Sequence, residues 1–99
     1  MFKVLIADKL SEEAVRIFSD NGIEAIVKNG LDENALIEAL QDCDGLVVRS
    51  ATKATKKVIE SCKKLKVIGR AGIGVDNVDL EAATNNGKVV MNTPFGNSI

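Results

Sequence analysis

The chain has 99 residues, 45% of them hydrophobic and 27% charged, a balance typical of one globular domain. A formal net charge of −1 and only three aromatic residues, all Phe, argue against a nucleic acid or a membrane surface as partner. The sequence contains no His, which removes the commonest general base near neutral pH.

The two cysteines, Cys43 and Cys62, do not have the spacing of metal ligands, and no metal site is predicted. Each lies among apolar neighbours, so we expect reduced, buried thiols. The first apolar run is too short and too soon interrupted by charge for a signal peptide or a membrane span. We therefore expect a cytoplasmic protein.

Five apolar runs alternate with four helix-like segments along the chain. The predicted strands cover residues 3–8, 23–28, 45–50, 66–71 and 88–92. Each helix-like segment follows a residue that favours a helix N-cap, namely Ser11, Asp32, Thr55 and Asp79. Gly22 is expected to end the first helix, and Lys63 and Lys64 to lie in the last turn of the third.

This alternation predicts an α/β fold with an open parallel five-stranded sheet and helices on both faces. The second run is partly polar, which is typical of an edge strand, so we predict the flavodoxin-like order 2-1-3-4-5. Residues 1–92 would form one domain. Residues 93–99 contain the only Pro and are expected to leave that domain, as in a piece of a longer chain.

A glycine cluster follows the fourth run, in the sequence VIGRAGIGVDN. Gly72 and Gly74 supply the first half of a G-x-G-x-x-G dinucleotide fingerprint, but Asn77 stands where the third Gly is needed. The next strand ends in Asn92 instead of the acid that binds a ribose. The pattern therefore argues against NAD pyrophosphate at this turn and leaves two alternatives, a plain structural turn or a loop that binds a small anion.

Polar residues at neighbouring strand ends favour the anion. Arg49 and Ser50 end the third run, and Arg70 ends the fourth. Parallel strands place these carboxyl ends on one edge of the sheet, where ligands bind in such folds. Either Arg alone is commonly a solvated surface charge, but two at equivalent positions favour a carboxylate or phosphate site.

Three separated blocks, GLVVRSATK, VIGRAGIGVDNVDLEAA and VVMNTPFGNSI, resemble the amino-terminal part of the D-isomer-specific 2-hydroxyacid dehydrogenases. The resemblance runs the whole length of the chain, with Phe95 where a Gly is frequent. It implies an NAD-dependent enzyme of two domains, of which this chain is the substrate-binding one. In the family a segment from near the C-terminus completes this domain, so we expect an exposed apolar patch where that segment packs.

The resemblance also implies roles for individual residues. The substrate's anionic groups would be bound by Arg49, Ser50, Arg70, the loop amides of Ile73 and Gly74 with Gly72 beside them, and Asn97. Ile73 would also lie next to the nicotinamide of NAD. The family's catalytic His, Glu and Arg and its dinucleotide fingerprint follow residue 99, so no catalytic residue is assigned here and the chain alone is expected to be inactive.

The implied reaction is the oxidation of 3-phosphoglycerate to 3-phosphohydroxypyruvate in serine synthesis. Two alternatives stay open, a dehydrogenase for another 2-hydroxy acid and a stand-alone module that binds small anions. A phospho-receiver domain shares the fold but needs an acidic pair, an Asp and a Lys, whereas the corresponding positions offer Asp8 alone, Arg49 and no Lys after Asn92. We expect the complete protein to be a homo-oligomer, while this piece alone could be a monomer.

Overall fold

Strands and helices alternate along the whole chain in the computed structural model, which describes residues 2–9, 12–49, 52–71 and 78–93. The elements are β1 (Lys3–Ile6), α1 (Glu12–Asp20), β2 (Glu24–Val27), α2 (Glu33–Leu40), β3 (Gly45–Val48), α3 (Lys56–Ser61), β4 (Val67–Ala71), α4 (Leu80–Asn85) and β5 (Val89–Thr93).

The five strands form one parallel sheet in the order β2-β1-β3-β4-β5. This confirms the predicted topology, including the position of the second strand at an edge. All four residues of β3 are buried because the strand lies in the middle of the sheet and is covered on both faces.

Alternate residues of each strand face opposite sides of the sheet and enter two separate hydrophobic clusters. The larger cluster lies under α2, α3 and α4 and includes Leu5, Leu46 and Ile68 from the sheet. The smaller cluster lies under α1, where Phe18 packs with strand residues of β1 and β3. Cys43 and Cys62 are free thiols in the larger cluster, as expected, and burial raises the pKa of both.

Three of the four predicted N-caps are confirmed. The side chains of Asp32, Thr55 and Asp79 accept hydrogen bonds from backbone N–H groups three residues later, at 2.8, 3.3 and 3.0 Å. Gly22 has the positive φ, 74°, that was expected at the end of the first helix. Ser11 lies outside the described residues.

The prediction for the C-terminal end of the third helix is wrong. Helix α3 ends at Ser61, so Lys63 and Lys64 follow the helix and its last turn contains no basic residue. A cation from another part of the chain lies after this helix instead. The Lys88 ammonium donates hydrogen bonds to the carbonyls of Cys62 at 2.8 Å and Leu65 at 2.7 Å. Burial of this side chain lowers the pKa of Lys88.

One part of the sheet carries exposed apolar side chains. Val67 pairs with Gly45 and with Val89, and Met91 pairs with Gly69, so all three side chains lie on the face that α1 covers farther along. Phe2 lies against Gly45 on the same side. Phe2, Val89 and Met91 are 41%, 55% and 47% exposed. We call Phe2, Val67, Val89 and Met91 the open face; that a further segment packs on it stays a prediction.

Within the described ranges, no helix is long and apolar enough to cross a membrane.

Candidate functional site

The two arginines that we predicted as anion ligands lie at the carboxyl edge of the sheet. Arg49 follows the last residue of β3, and Arg70 is the fourth residue of β4, paired with Val48. The other predicted site residues, Ser50, Gly72, Ile73, Gly74 and Asn97, lie outside the described residues.

Arg49 is an exposed residue that is held by hydrogen bonds from both its backbone and its side chain. Its backbone N–H donates to the Asp8 carboxylate at 2.6 Å, and its guanidinium Nη1 donates to the carbonyl of Lys9 at 3.2 Å. Both partners lie directly after β1, the neighbouring strand. The guanidinium is therefore placed over the carboxyl edge, with exposed surface that an anion can approach.

Arg70 is in a different environment. Its pairing with Val48 places it on the face of the sheet that packs against α2, α3 and α4. The residue is only 3% exposed, and both terminal guanidinium nitrogens are buried. Two arginines at neighbouring strand ends thus differ in accessibility, and the assignment of Arg70 as an anion ligand stays a prediction.

The segment after β3, residues 49–52, is attached to the end of β1 through a single buried carboxylate. Asp8 is 6% exposed, and its Oδ2 accepts the backbone N–H groups of Arg49 and of Thr52, the latter at 3.0 Å. Its Oδ1 accepts the Thr52 hydroxyl. The predicted ligand Ser50 lies between the two bound residues, so Asp8 determines where both ends of this loop lie.

A backbone bridge joins the loop after β3 to the segment that leads into α4. Ala54 and Val78 form an isolated parallel bridge, and the Asp79 N–H donates to the Ala54 carbonyl at 3.0 Å. Ala54 and Val78 are both buried in the larger cluster. The chain that follows the predicted glycine loop therefore runs beside the chain that follows Arg49.

Asp8 and Thr52 were not predicted as parts of this site. The sequence contains a signal for Asp8, because an acidic residue directly after a buried parallel strand must lie at the same edge as Arg49 and Arg70. Nothing in the sequence pairs it with Thr52, which is 44 residues away. That contact depends on β1 and β3 being neighbours in the sheet.

The described residues do not fit a dinucleotide at this edge. In a dinucleotide fold the helix N-terminus directly after the glycine turn binds the pyrophosphate. Here the Asp79 carboxylate already accepts an N–H of the first turn of α4, the next helix after β4 in the described residues. A groove of about 190 Å³ beside it is also lined by Glu60 and Glu81, so its charge is unfavourable for phosphates.

In the described part of the chain, no group of three or more His, Cys, Asp or Glu side chains is placed to bind a metal ion.

Comparisons with known proteins match the whole chain. A family model described as "D-isomer specific 2-hydroxyacid dehydrogenase, catalytic domain" matches residues 4–99. The chain is 58% identical over 97 residues to a D-3-phosphoglycerate dehydrogenase from Sus scrofa, covering 98% of this chain and 18% of that enzyme. It is 52% identical over 99 residues to a D-3-phosphoglycerate dehydrogenase from Methanocaldococcus jannaschii, covering 100% of this chain and 19% of that enzyme. The chain thus spans about a fifth of the length of these relatives.

A solved structure agrees with the sequence matches. The crystal structure of NAD+-bound 3-phosphoglycerate dehydrogenase from Entamoeba histolytica superimposes with a TM-score of 0.84 at 35% identity, covering 94% of this chain and 33% of that one.

Proposed function

Because the chain belongs to the D-isomer specific 2-hydroxyacid dehydrogenase family, we propose that it is the substrate-binding domain of an NAD-dependent 3-phosphoglycerate dehydrogenase. The complete enzyme would oxidise 3-phosphoglycerate to 3-phosphohydroxypyruvate, the entry reaction of serine synthesis. The observation that carries this proposal is identity of 58% and 52% to two enzymes of that name over nearly the whole chain. Residues 1–92 would form the domain, and 93–99 would begin the crossing to the rest of the polypeptide.

The geometry of Arg49 supports an anionic substrate at the carboxyl edge. The exposed guanidinium donates to the Lys9 carbonyl at 3.2 Å, which holds it over the carboxyl edge of the sheet. A planar guanidinium binds a carboxylate or phosphate through two parallel hydrogen bonds. Arg49 would bind the substrate together with Ser50, Arg70, the loop of Gly72, Ile73 and Gly74, and Asn97.

This domain would bind the substrate, and the rest of the polypeptide would bind NAD and supply the catalytic groups. This domain binds and orients the phosphorylated acid, which lowers the entropic cost of reaction. NAD accepts the hydride and would be bound elsewhere in the complete polypeptide, because the described residues at this edge do not fit its pyrophosphate. The family resemblance implies that the general base, a His, would also come from elsewhere in the complete polypeptide, and these 99 residues contain no His.

The test is steady-state kinetics of the complete polypeptide, with NADH formation as the readout. Arg49→Ala should raise the KM for 3-phosphoglycerate by roughly 10- to 100-fold, because it removes a charge-assisted hydrogen-bond donor to the substrate. The KM for NAD should change little. Arg16→Ala in α1 is the matched control, since it removes an exposed arginine from a helix surface and should leave both KM values unchanged.

Two further measurements separate the alternatives. The isolated 99-residue chain should form no NADH with 3-phosphoglycerate and NAD. Glycerate should be a much poorer substrate than 3-phosphoglycerate for the complete enzyme, because it lacks the phosphate. Equal kcat/KM for the two acids would instead indicate a dehydrogenase for another 2-hydroxy acid.

A further inference from the structure

We propose that Asp8 is a positioning residue for substrate binding, which places Arg49 by accepting the backbone N–H groups of Arg49 and Thr52. This inference rests on the proposed function, since it assigns a cause to the substrate affinity of that same site. Asp8 would not touch the substrate. It would act only through the loop 49–52.

Within the described residues, the side-chain hydrogen bonds of Asp8 lead to Arg49 and Thr52. Its two carboxylate oxygens accept from the Arg49 N–H at 2.6 Å, the Thr52 N–H at 3.0 Å and the Thr52 hydroxyl. One carboxylate that binds both backbone N–H groups fixes Arg49 and Thr52 relative to the end of β1. Hydrogen bonds to a carboxylate are also stronger than those to neutral acceptors.

Burial makes this arrangement costly to lose. Asp8 is 6% and Thr52 is 8% exposed, so neither can exchange its partner for bulk water without a shift of the backbone. The guanidinium of Arg49 is bound in turn to the carbonyl of Lys9, the residue after Asp8. Both the backbone and the side chain of Arg49 are thus hydrogen-bonded to residues at the end of β1. A shift of Arg49 would move its guanidinium away from the anion that it binds.

The alternative is that Asp8 contributes only to folding. Asp44 offers a comparison, because its carboxylate also accepts a backbone N–H from a residue distant in sequence. Its Oδ2 accepts the Lys3 N–H at 2.9 Å, at the amino edge of the sheet, away from the proposed substrate site. A purely structural role predicts that Asp8→Ala and Asp44→Ala behave alike. A positioning role predicts that only Asp8→Ala affects the substrate.

The experiment measures kcat and both KM values of the complete enzyme carrying Asp8→Ala, Asp8→Asn or Asp44→Ala. Asp8→Ala should raise the KM for 3-phosphoglycerate by roughly tenfold and leave the KM for NAD within about twofold, because one interaction with the substrate is weakened. Asp44→Ala should leave both values within about twofold. Equal effects of the two alanine variants would overturn the inference.

Asp8→Asn tests position against charge. Its amide oxygen can accept both N–H groups and its NH₂ can donate to the Thr52 hydroxyl, which accepts equally well. The variant should therefore stay within about threefold of the wild-type KM. If Asp8→Asn is as impaired as Asp8→Ala, the charge of Asp8 matters and the positioning role is wrong.

Two further variants keep the result decisive. Should Asp8→Ala fail to fold, Thr52→Val removes the hydroxyl that donates to Asp8 and keeps the Thr52 N–H, and it should raise the substrate KM by roughly threefold, while no change would contradict the inference. The double variant Asp8→Ala/Arg49→Ala should be no worse than Arg49→Ala, since both changes remove the same contact. Failure of the proposed function shows differently: an unchanged substrate KM in Arg49→Ala itself would refute that function and with it the role of Asp8.

Discussion

At the scale of single residues, two aspartates bind backbone N–H groups at opposite ends of the sheet's strands, and they differ in solvent exposure. Asp8 is buried with its partners at the carboxyl edge, whereas Asp44 at the amino edge is partly exposed. The Lys3 backbone N–H, with help from Lys64 and Lys66, holds the pKa of the Asp44 carboxyl below its ordinary value of 3.8. The folded chain therefore binds a proton at Asp44 less readily than the unfolded chain does.

This difference predicts a specific acid sensitivity. A carboxyl whose pKa is lowered by folding stabilises the fold above its unfolded value of 3.8, and that stabilisation is lost as the pH falls through the lowered folded value. Asp44→Asn keeps an acceptor for Lys3 but cannot titrate, so its free energy of unfolding should fall less than wild type between pH 5 and pH 2.5.

Urea denaturation of the 99-residue chain at several pH values measures this effect. Parallel pH curves for wild type and Asp44→Asn would show that this hydrogen bond is not linked to protonation.

At the scale of elements, α3 shows that a helix end can be completed by a residue distant in sequence. The Lys88 ammonium binds the carbonyls of Cys62 and Leu65 and is only 8% exposed. Cations near a helix C-terminus are favourable whatever their origin, because they meet carbonyls that the helix leaves free. Lys63 and Lys64 satisfy the sequence rule for such a cation, but both are exposed beyond the end of the helix.

Lys88→Met should therefore destabilise the domain by about 1–3 kcal/mol, since it removes two hydrogen bonds from a buried charged donor. Lys63→Met should change the free energy of unfolding by less than about 0.5 kcal/mol, as exposed substitutions usually do. Thermal or chemical unfolding of both variants measures the two changes in the free energy of unfolding. A larger loss in Lys63→Met than in Lys88→Met would restore the expectation from sequence.

At the scale of the whole molecule, the two faces of the sheet are covered unequally. Helices α2, α3 and α4 cover one face, whereas α1 packs on the smaller cluster formed by β1 and β3. The open face of Phe2, Val67, Val89 and Met91 is the result. Contiguous exposed apolar surface of this kind marks a site of association in most proteins.

We expect a dye that fluoresces on apolar surfaces to bind the 99-residue chain at the open face. Met91→Lys should reduce the signal, because it places a charge within the open face. Leu80→Lys is the control, since Leu80 is equally exposed, at 46%, but belongs to α4 on the other side of the sheet. Equal signals from wild type and Met91→Lys would show that the dye does not report this face.

The complete polypeptide gives a second arm of that experiment. The family resemblance implies a further segment that completes this domain, and such a segment would cover the open face. The dye signal per domain should then be lower in the complete protein than in the 99-residue chain.

The sequence by itself determined the fold and predicted the edge of the sheet at which a ligand would bind. Alternating apolar runs and capped helices are local patterns, and a parallel strand order with right-handed crossovers leaves few arrangements of them. The edge followed because parallel strands end on the same side, which brings Arg49 and Arg70 to neighbouring strand ends.

Only the tertiary structure decided which groups meet across that edge. Arg49 is exposed and Arg70 buried, although both end apolar runs, because burial depends on the face of the sheet and on the helices packed against it. The contacts of Asp8 with Thr52 and of Lys88 with Cys62 span 44 and 26 residues. Hydrogen bonds over such distances depend on which strands are neighbours and on the register between them, and no local pattern in the sequence encodes either.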